Sequence, residues 1–413
     1  MRTIKKLEGW KELQLNEVLD YDQPNEYIVE SEILEEETQI PVLTANKSFI
    51  KGYTKETKGV YDEVPVIIFD DFTADNKFVS FPFKVKSSAM KILKLKDKRA
   101  NLKFIFYQMQ LIDVNTTTHK RYYISLYQNL PFIFPTDEQG DIDLEKQQQI
   151  VDEIEKQFTR LDASIKSMVE VMRKLGIYRI SVLKSAFEGL FTNDKEQKKE
   201  IDILGVKLLI PESWNIGKLS DLGSYGRGKS KHRPRNDKIL YENGKYPFIQ
   251  TGEISNANKI IREYNNMYNQ VGLKQSKIWS KGTLCITIAA NIAKTAILDF
   301  NACFPDSVIG FNSKSEKTTL FVMYYIQLIQ QILDVKASAT AQKNINLGTF
   351  TKIDFPVLAE QLSEEIVNQI ETKFSVIDKL GQIIDSTLIK TEQLRKSILK
   401  SAFEGKLVKE VLA

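Results

Sequence analysis

The chain has 413 residues, of which 42% are apolar and 27% charged, with a formal net charge of +4. That length implies two or three domains at about 150 residues each, the composition is that of a globular protein, and the charge excludes a wholesale polycation while allowing a local basic patch. Two cysteines (Cys285, Cys303) and two histidines (His119, His232) exclude a disulfide scaffold and a His-rich metal centre, and no run of about 18 apolar residues suggests a membrane span.

The residues after Met1 do not read as a signal peptide, because Lys5-Lys6 leads into Leu7-Glu8-Gly9-Trp10 rather than an apolar core. From Trp10 onward the first domain reads as short β-like runs separated by turns. Residues 40–46 leave a strand for a turn, and Thr44 and Asn46 carry groups suited to base edges. Residues 64–69 and 78–85 read as strands. Asp70 and Asp71 read as turn residues, since no further carboxylates and lysine at a nuclease spacing accompany them. Lys84, Lys86, Lys91, Lys94, Lys96, Lys98 and Arg99 form a basic stretch, and a helix is expected over 102–111. His119, beside Lys120 and Arg121, reads as part of a surface loop. Asn129-Leu130-Pro131-Phe132 is one proline short of the amino-methyltransferase signature. It lacks the glycine-rich turn that would hold S-adenosylmethionine, so methyl transfer by this chain is not expected.

Ile150, Ile154, Phe158, Leu161, Ile165, Met168, Met172 and Leu175 recur at steps of three and four. That stripe predicts a helix of about 40 residues, roughly 60 Å long, with Gly189 as its stop. Residues 192–205 read as a polar linker. A second domain opens at Trp214. Its residues 223–230, Gly-Ser-Tyr-Gly-Arg-Gly-Lys-Ser, match the P-loop letters. No buried strand precedes them, and Pro234 follows where a helix should start, so the phosphate cradle of a nucleotide site is not expected. The better reading is a basic loop. Arg227, Lys229, Lys231, Arg233 and Arg235 occur without an acidic residue among them, which suits sequence-independent phosphate contacts. Residues 246–254 follow, where Gln250 and Thr251 could address base edges, Gln suiting adenine. Residues 283–288, 296–298 and 304–309 read as strands, and 319–333 as a helix. Cys285 and Cys303 read as small buried apolar residues.

An internal repeat organises these parts. Leu-Lys-Ser-Ala-Phe-Glu-Gly occurs at 183 and again at 399, an offset of 216. The same offset pairs Phe158 with Phe374, Asp162 with Asp378 and Arg179 with Arg395. Trp10 and Trp214 pair at an offset of 204. Ile366, Ile370, Phe374, Ile377, Ile384 and Leu388 form a second stripe, ended by Gly405. Two stripes of equal length favour pairing with each other. The resulting divisions are 1–145 and 206–356 for the domains, 146–191 and 357–413 for the helices, and 192–205 for the linker.

The chain resembles the specificity subunits of Type I restriction-modification systems over essentially its whole length. The resemblance is carried by Trp10 and Trp214, by residues 246–252, 282–298 and 337–346, by Phe355-Pro356 through Gln361, and by the doubled Leu-Lys-Ser-Ala-Phe-Glu-Gly. The first half lacks a clear counterpart of Ala-Thr-Ala-Gln-Lys-Asn-Ile. The resemblance implies an α+β chain in which two target recognition domains of mixed α/β structure are separated by two long antiparallel coiled-coil helices with pseudo-two-fold symmetry. Each domain would read half of a bipartite asymmetric site in double-stranded DNA, with the helices setting the spacer. Lys84 and Lys86 would serve the first domain.

The implied partners are two modification subunits, which hold S-adenosylmethionine and methylate adenine, and restriction subunits, which use ATP and Mg. This chain would itself bind no cofactor and be non-catalytic. Phe187, Glu188, Phe403 and Glu404, at the repeated helix ends, would dock the modification subunits. A cytoplasmic location in a bacterium or archaeon follows. The other class left open is a standalone coiled-coil DNA-binding or architectural protein.

Overall fold

The computed structural model of the chain describes residues 6–31, 33, 40–45, 48–112, 121–192, 196–289, 291–338, 345 and 347–407. The chain divides into two compact units, Met1–Val169 with Ile384–Ala413, and Glu170–Ile383. Each unit therefore contains part of both long helices.

In the first unit a four-stranded sheet runs in the order Leu19–Asp22, Met90–Leu95, Val66–Asp70, Asn76–Val79. Its central strand, Val-Ile-Ile-Phe-Asp, has no polar alternation because both faces are covered. Ile67 and Phe69 face a core shared with Trp10, Phe104 and both long helices. Val66 and Ile68 face a second core with Tyr61, Phe83 and Val85. The two-residue side-chain period of a strand thus sorts consecutive apolar residues into separate cores. Ile50–Thr54, Ile40–Leu43 and Lys84–Val85 form a smaller sheet, and Trp10–Gln14 pairs with Pro131–Pro135. That last strand begins with Pro131-Phe132, the end of the Asn129-Leu130-Pro131-Phe132 run, and pairs with the strand that opens the domain.

The second unit repeats the plan with different strands. Its five-stranded sheet runs Ser224–Arg227, Val308–Asn312, Leu284–Thr287, Thr295–Leu298, Ile260–Ile261. Leu284 and Ile286 join the main core while Cys285, between them, joins another. Burial alone pushes the Cys285 thiol far above its ordinary value, as expected for a packed, unreactive cysteine. A four-stranded sheet of Asn266–Tyr268, Tyr246–Phe248, Ala302–Cys303 and Ile278–Trp279 carries the other cysteine. Asn215–Gly217 pairs with Phe355–Val357 as the counterpart of the Trp10 strand pair.

The helices expected over 102–111 and 319–333 are Leu102–Met109 and Glu316–Ser338. The expected linker is largely a hairpin: Lys198–Ile203 pairs with Val206–Pro211. Its alternating Ile201 and Ile203 are buried, and Leu204 and Gly205, both at positive φ, make the two-residue turn. The polar composition concealed that alternation.

The long helices are Leu144–Phe187 and Glu360–Phe403, 44 residues each. Asp143 caps the first by accepting from the Lys146 amide at 2.9 Å. Gly189 and Gly405, at φ +79° and +69°, follow the helix ends in the left-handed conformation that suits a stop. Both helices begin and end inside or beside the expected limits. Phe355–Val357 is a strand, which delays the start of the second.

Within each unit the helix segments run antiparallel. In the first, Ile150, Val151 and Ile154 share a core with Leu399, Ala402 and Phe403, and Asp162 pairs with Arg395. In the second, Val182, Leu183 and Phe187 share a core with Ile366, Ile370 and Phe374, and Arg179 pairs with Asp378. No helix among the described residues is long and apolar enough to cross a membrane.

Candidate nucleic-acid interface

The basic loop of the second unit starts on an edge strand, Ser224–Arg227, and crosses the turn at residues 304–307. The Gly228 amide donates to the Val308 carbonyl at 2.8 Å and the Lys229 amide to the Phe304 carbonyl at 3.0 Å. A Cβ on Gly228 would lie 2.3 Å from the Pro305 carbonyl oxygen. Close backbone crossing therefore explains this glycine of the P-loop-like letters. The loop amides serve the fold, and no helix follows, so the geometry of a nucleotide cradle is absent among the described residues.

The five cations of the loop are not equivalent. Arg227 Nε donates to the Asp306 carbonyl at 2.8 Å, and Arg235 pairs with the Asp306 carboxylate. Arg233 donates to the carbonyls of Ser230 and His232, at 2.8 Å each. Lys229 and Lys231 are exposed, and their ammonium groups have no carboxylate partner among the described residues. The Lys231 amide donates to Gln275, and Ser276 Oγ donates to the Lys229 carbonyl at 2.7 Å. Those contacts seat the loop on the 274–277 turn and bring exposed Lys274 and Lys277 beside it. The Lys277 ammonium lies 3.8 Å from the Trp279 ring centroid. Neither lysine was singled out from the sequence, because Glu253 and Glu263 intervene in the chain and the grouping is made by the fold.

Arg235, Gln250 and Thr251 come together. They line one open cleft of about 710 Å³ with Lys238, Tyr241, Phe248, Asn266 and Ser307. Gln250 precedes the short helix Thr251–Asn256, and its amide donates to Glu253 at 3.1 Å, which fixes the entry. The Tyr241 hydroxyl donates to the Arg235 carbonyl at 2.7 Å. Beside the loop, the His232 ring holds the Asp237 carboxyl below its ordinary value through a 2.8 Å hydrogen bond.

The first unit corrects the expected basic stretch. Lys84 is 3% exposed. Its ammonium is bound to Glu56 at 2.6 Å and donates to the Lys58 carbonyl at 2.8 Å, so it is no phosphate ligand. Lys91 is 2% exposed, donates to Gln23 at 2.8 Å and sits 3.9 Å from Asp71. Burial lowers its pKa against the pull of Asp71. Lys94 is paired with Asp22, Arg99 with Asp97 and Asp141, and Lys96 donates to the Asn16 carbonyl. Lys86 and Lys98 remain exposed. Lys86 lies beside Thr44, since its amide donates to the carbonyl of the preceding Leu43. Asn46 and His119 lie outside the described residues. Asp70 caps the turn it was expected to make, accepting from the Phe72 and Thr73 amides at 2.9 Å.

The expected docking aromatics are core residues. Phe187 and Phe403 are fully buried, with ring centroids 5.1 Å from Phe321 and Phe104 respectively. Only the adjoining Glu188 and Glu404 reach the surface, and each is paired with nearby lysines.

Two unlike α+β domains, each packed on antiparallel segments of the same two helices, define a two-domain coiled-coil protein, and the basic loop beside an amide-lined cleft suits a polyanion. Residues 211–385 match the Type I restriction modification DNA specificity domain. The chain is 36% identical over 243 residues to the specificity subunit of the EcoR124I/EcoR124II Type I enzyme of Escherichia coli, covering 57% of this chain and 54% of that one. It thus spans about half the length of that relative. It is 23% identical over 385 residues to the EcoBI specificity subunit of Escherichia coli, covering 89% and 78%. In fold it is similar to a chain from a study of assembly and conformational transition of the type I R-M system, with TM-score 0.67, 14% identity and coverage of 97% and 99%. It is also similar to the HsdS subunit from Thermoanaerobacter tengcongensis, with TM-score 0.53, 15% identity and coverage of 97% and 98%. Residues 211–385 are thus similar to the Type I restriction modification DNA specificity domain, and the chain is similar in sequence to two Type I specificity subunits and in fold to an HsdS subunit.

Proposed function

We propose that this chain is the DNA-reading subunit of a Type I restriction-modification enzyme. Each domain reads one half of a bipartite, asymmetric site in double-stranded DNA, and the paired helices fix the spacer. Reading by two unlike domains in one chain suits an asymmetric site, where a symmetric dimer suits a palindrome. The observation that carries the reading is the second-unit cleft. It places Gln250 and Thr251 beside Arg235, next to a loop whose Lys229 and Lys231 are not neutralised. Cations supply salt-dependent affinity while amide groups discriminate base edges.

Chemistry belongs to partners in this reading. Modification subunits bring S-adenosylmethionine and methylate adenine, and restriction subunits bring ATP and Mg. No group of three or more metal-ligating side chains occurs among the described residues. The similarity to specificity subunits supports this arrangement over a standalone architectural protein. The test is co-expression with a modification subunit from the same genome, followed by long-read sequencing of methylated bases. A split motif with methyladenine in both halves is expected. Absence of a complex and of any methylated motif would overturn the assignment.

A further inference from the structure

The cleft contains a side chain that the sequence did not single out. Asn266 begins the strand Asn266–Tyr268 and is held opposite Phe248 in antiparallel register. Its neighbour Asn265 is used internally, donating to Glu253 at 3.0 Å. Asn266 instead lines the cleft, half-buried, and its carboxamide has no partner among the described residues. A carboxamide open to the cleft and unused by the protein is free to pair with a ligand that supplies both a donor and an acceptor.

The support beneath Asn266 is rigid. Phe248 stacks on Tyr268 at 4.1 Å between ring centroids, and Tyr241 packs on the same Tyr268 at 5.1 Å. A reading side chain on a strand pinned by aromatic packing is held more sharply than one on a loop. Lys238, with no carboxylate partner among the described residues, lines the same cleft, together with Glu242 and with Arg235, which is paired with Asp306. A backbone phosphate bound there would bring a base edge toward the amides.

We infer that Asn266 is a specificity-determining residue of the second domain, reading an adenine through its N6 amino group and N7. The inference rests on the DNA-reading function proposed above. A carboxamide presents one acceptor and one donor in a plane, the complement of that edge, whereas guanine would call for two donors. Lysines of the loop contact phosphate and carry no such information.

The test uses the complete chain with its modification subunit. Methylated motifs are mapped by long-read sequencing for the wild type, Asn266→Ala and Asn266→Asp. Asn266→Ala is expected to relax one adenine-bearing position in one half of the motif and leave the other half unchanged. Asn266→Asp, now acceptor only, is expected to shift that position toward cytosine. An unchanged motif in both variants overturns the inference. If the wild type gives no split motif, the DNA-reading function itself fails instead.

Should either variant abolish methylation outright, the wild-type complex decides alone. Duplexes carrying 7-deazaadenine at each adenine of the motif in turn remove one N7 acceptor at a time. One position in the second domain's half is expected to weaken binding by about 10-fold, and equal binding at every position overturns the inference.

Discussion

Arg395 of the second long helix is ion-paired with Asp162 of the first, and its guanidinium lies 4.5 Å from the Phe158 ring centroid. In the other unit the same three residue types meet with the helices exchanged. Arg179 of the first helix pairs with Asp378 of the second and lies 4.1 Å from Phe374. Each residue is 216 positions from its counterpart. A helix paired antiparallel with its own copy makes every contact twice, once in each direction, and two such contacts are seen here in separate units. Glu155 and Glu371, also 216 apart, repeat the pattern. Glu155 accepts from Tyr107 and Lys103, and Glu371 from Tyr324 and Lys259. The two lysines come from unrelated places, a helix in one unit and a turn in the other.

Arg395→Ala should lower stability by about 1–2 kcal/mol, through loss of the cation–π contact and of the packed stem. Asp162→Ala should cost less than about 1 kcal/mol, because partly exposed ion pairs contribute little. Arg395→Lys should not restore the loss, since a lysine cannot both stack and present a fork. Urea unfolding of the three variants checks the order. Equal losses for Arg395→Ala and Asp162→Ala would contradict it.

Replacing Lys229, Lys231, Lys274 and Lys277 by Ala should weaken binding to any duplex. If each makes one phosphate contact, the slope of log affinity against log salt should fall by about 0.9 per lysine. The methylated motif should stay the same, because phosphate contacts carry no sequence information. Affinity measured from about 50 to 200 mM salt on motif and non-motif duplexes distinguishes this from a change in specificity.

Glu56 ties its own charge to that of buried Lys84. The Lys84 hydrogen bond, with help from Ser31, holds the Glu56 carboxyl at about 2, below its ordinary 4.5. A carboxylate whose pKa is depressed on folding stabilises above the unfolded value and loses that contribution as pH falls through the folded one. Glu56→Gln should therefore cost about 2 kcal/mol at neutral pH, by leaving a buried ammonium without its counterion. The gap from wild type should close between about pH 4.5 and about pH 2. Chemical denaturation across that range reads it directly. A constant difference would show that the ion pair is not the cause.

Phe403→Ala and Phe187→Ala should each destabilise by about 3–5 kcal/mol, the cost of a large cavity in a core. Any loss of assembly with a modification subunit should then follow unfolding. Glu404→Ala and Glu188→Ala leave the cores intact and test the surface beside them. If the phenylalanine variants melt like wild type yet fail to assemble, the rings are not the core residues that their burial makes them.

The doubled helices were legible because a long apolar period and a letter-for-letter repeat are both local signals. Leu144–Phe187 and Glu360–Phe403 lie where those signals put them, with ends two to ten residues from the expected limits. The hairpin of Lys198–Ile203 was missed because its two buried isoleucines sit among lysines and acids, where composition outweighed alternation. Phe187 and Phe403 were recognised as repeated, but repetition does not tell a core position from a surface one.

The sequence by itself determined the two-part plan, the paired long helices, the resemblance to specificity subunits and the basic loop at Lys229. It could not determine which charges are available. Lys84 and Lys229 are both lysines in basic runs, yet Glu56 neutralises the first and no described carboxylate pairs with the second. That choice depends on residues brought from elsewhere in the chain, as does the cleft that joins Arg235, Gln250 and Asn266. Coulomb pairing and desolvation act over a few ångströms of space, so only the tertiary structure could decide them.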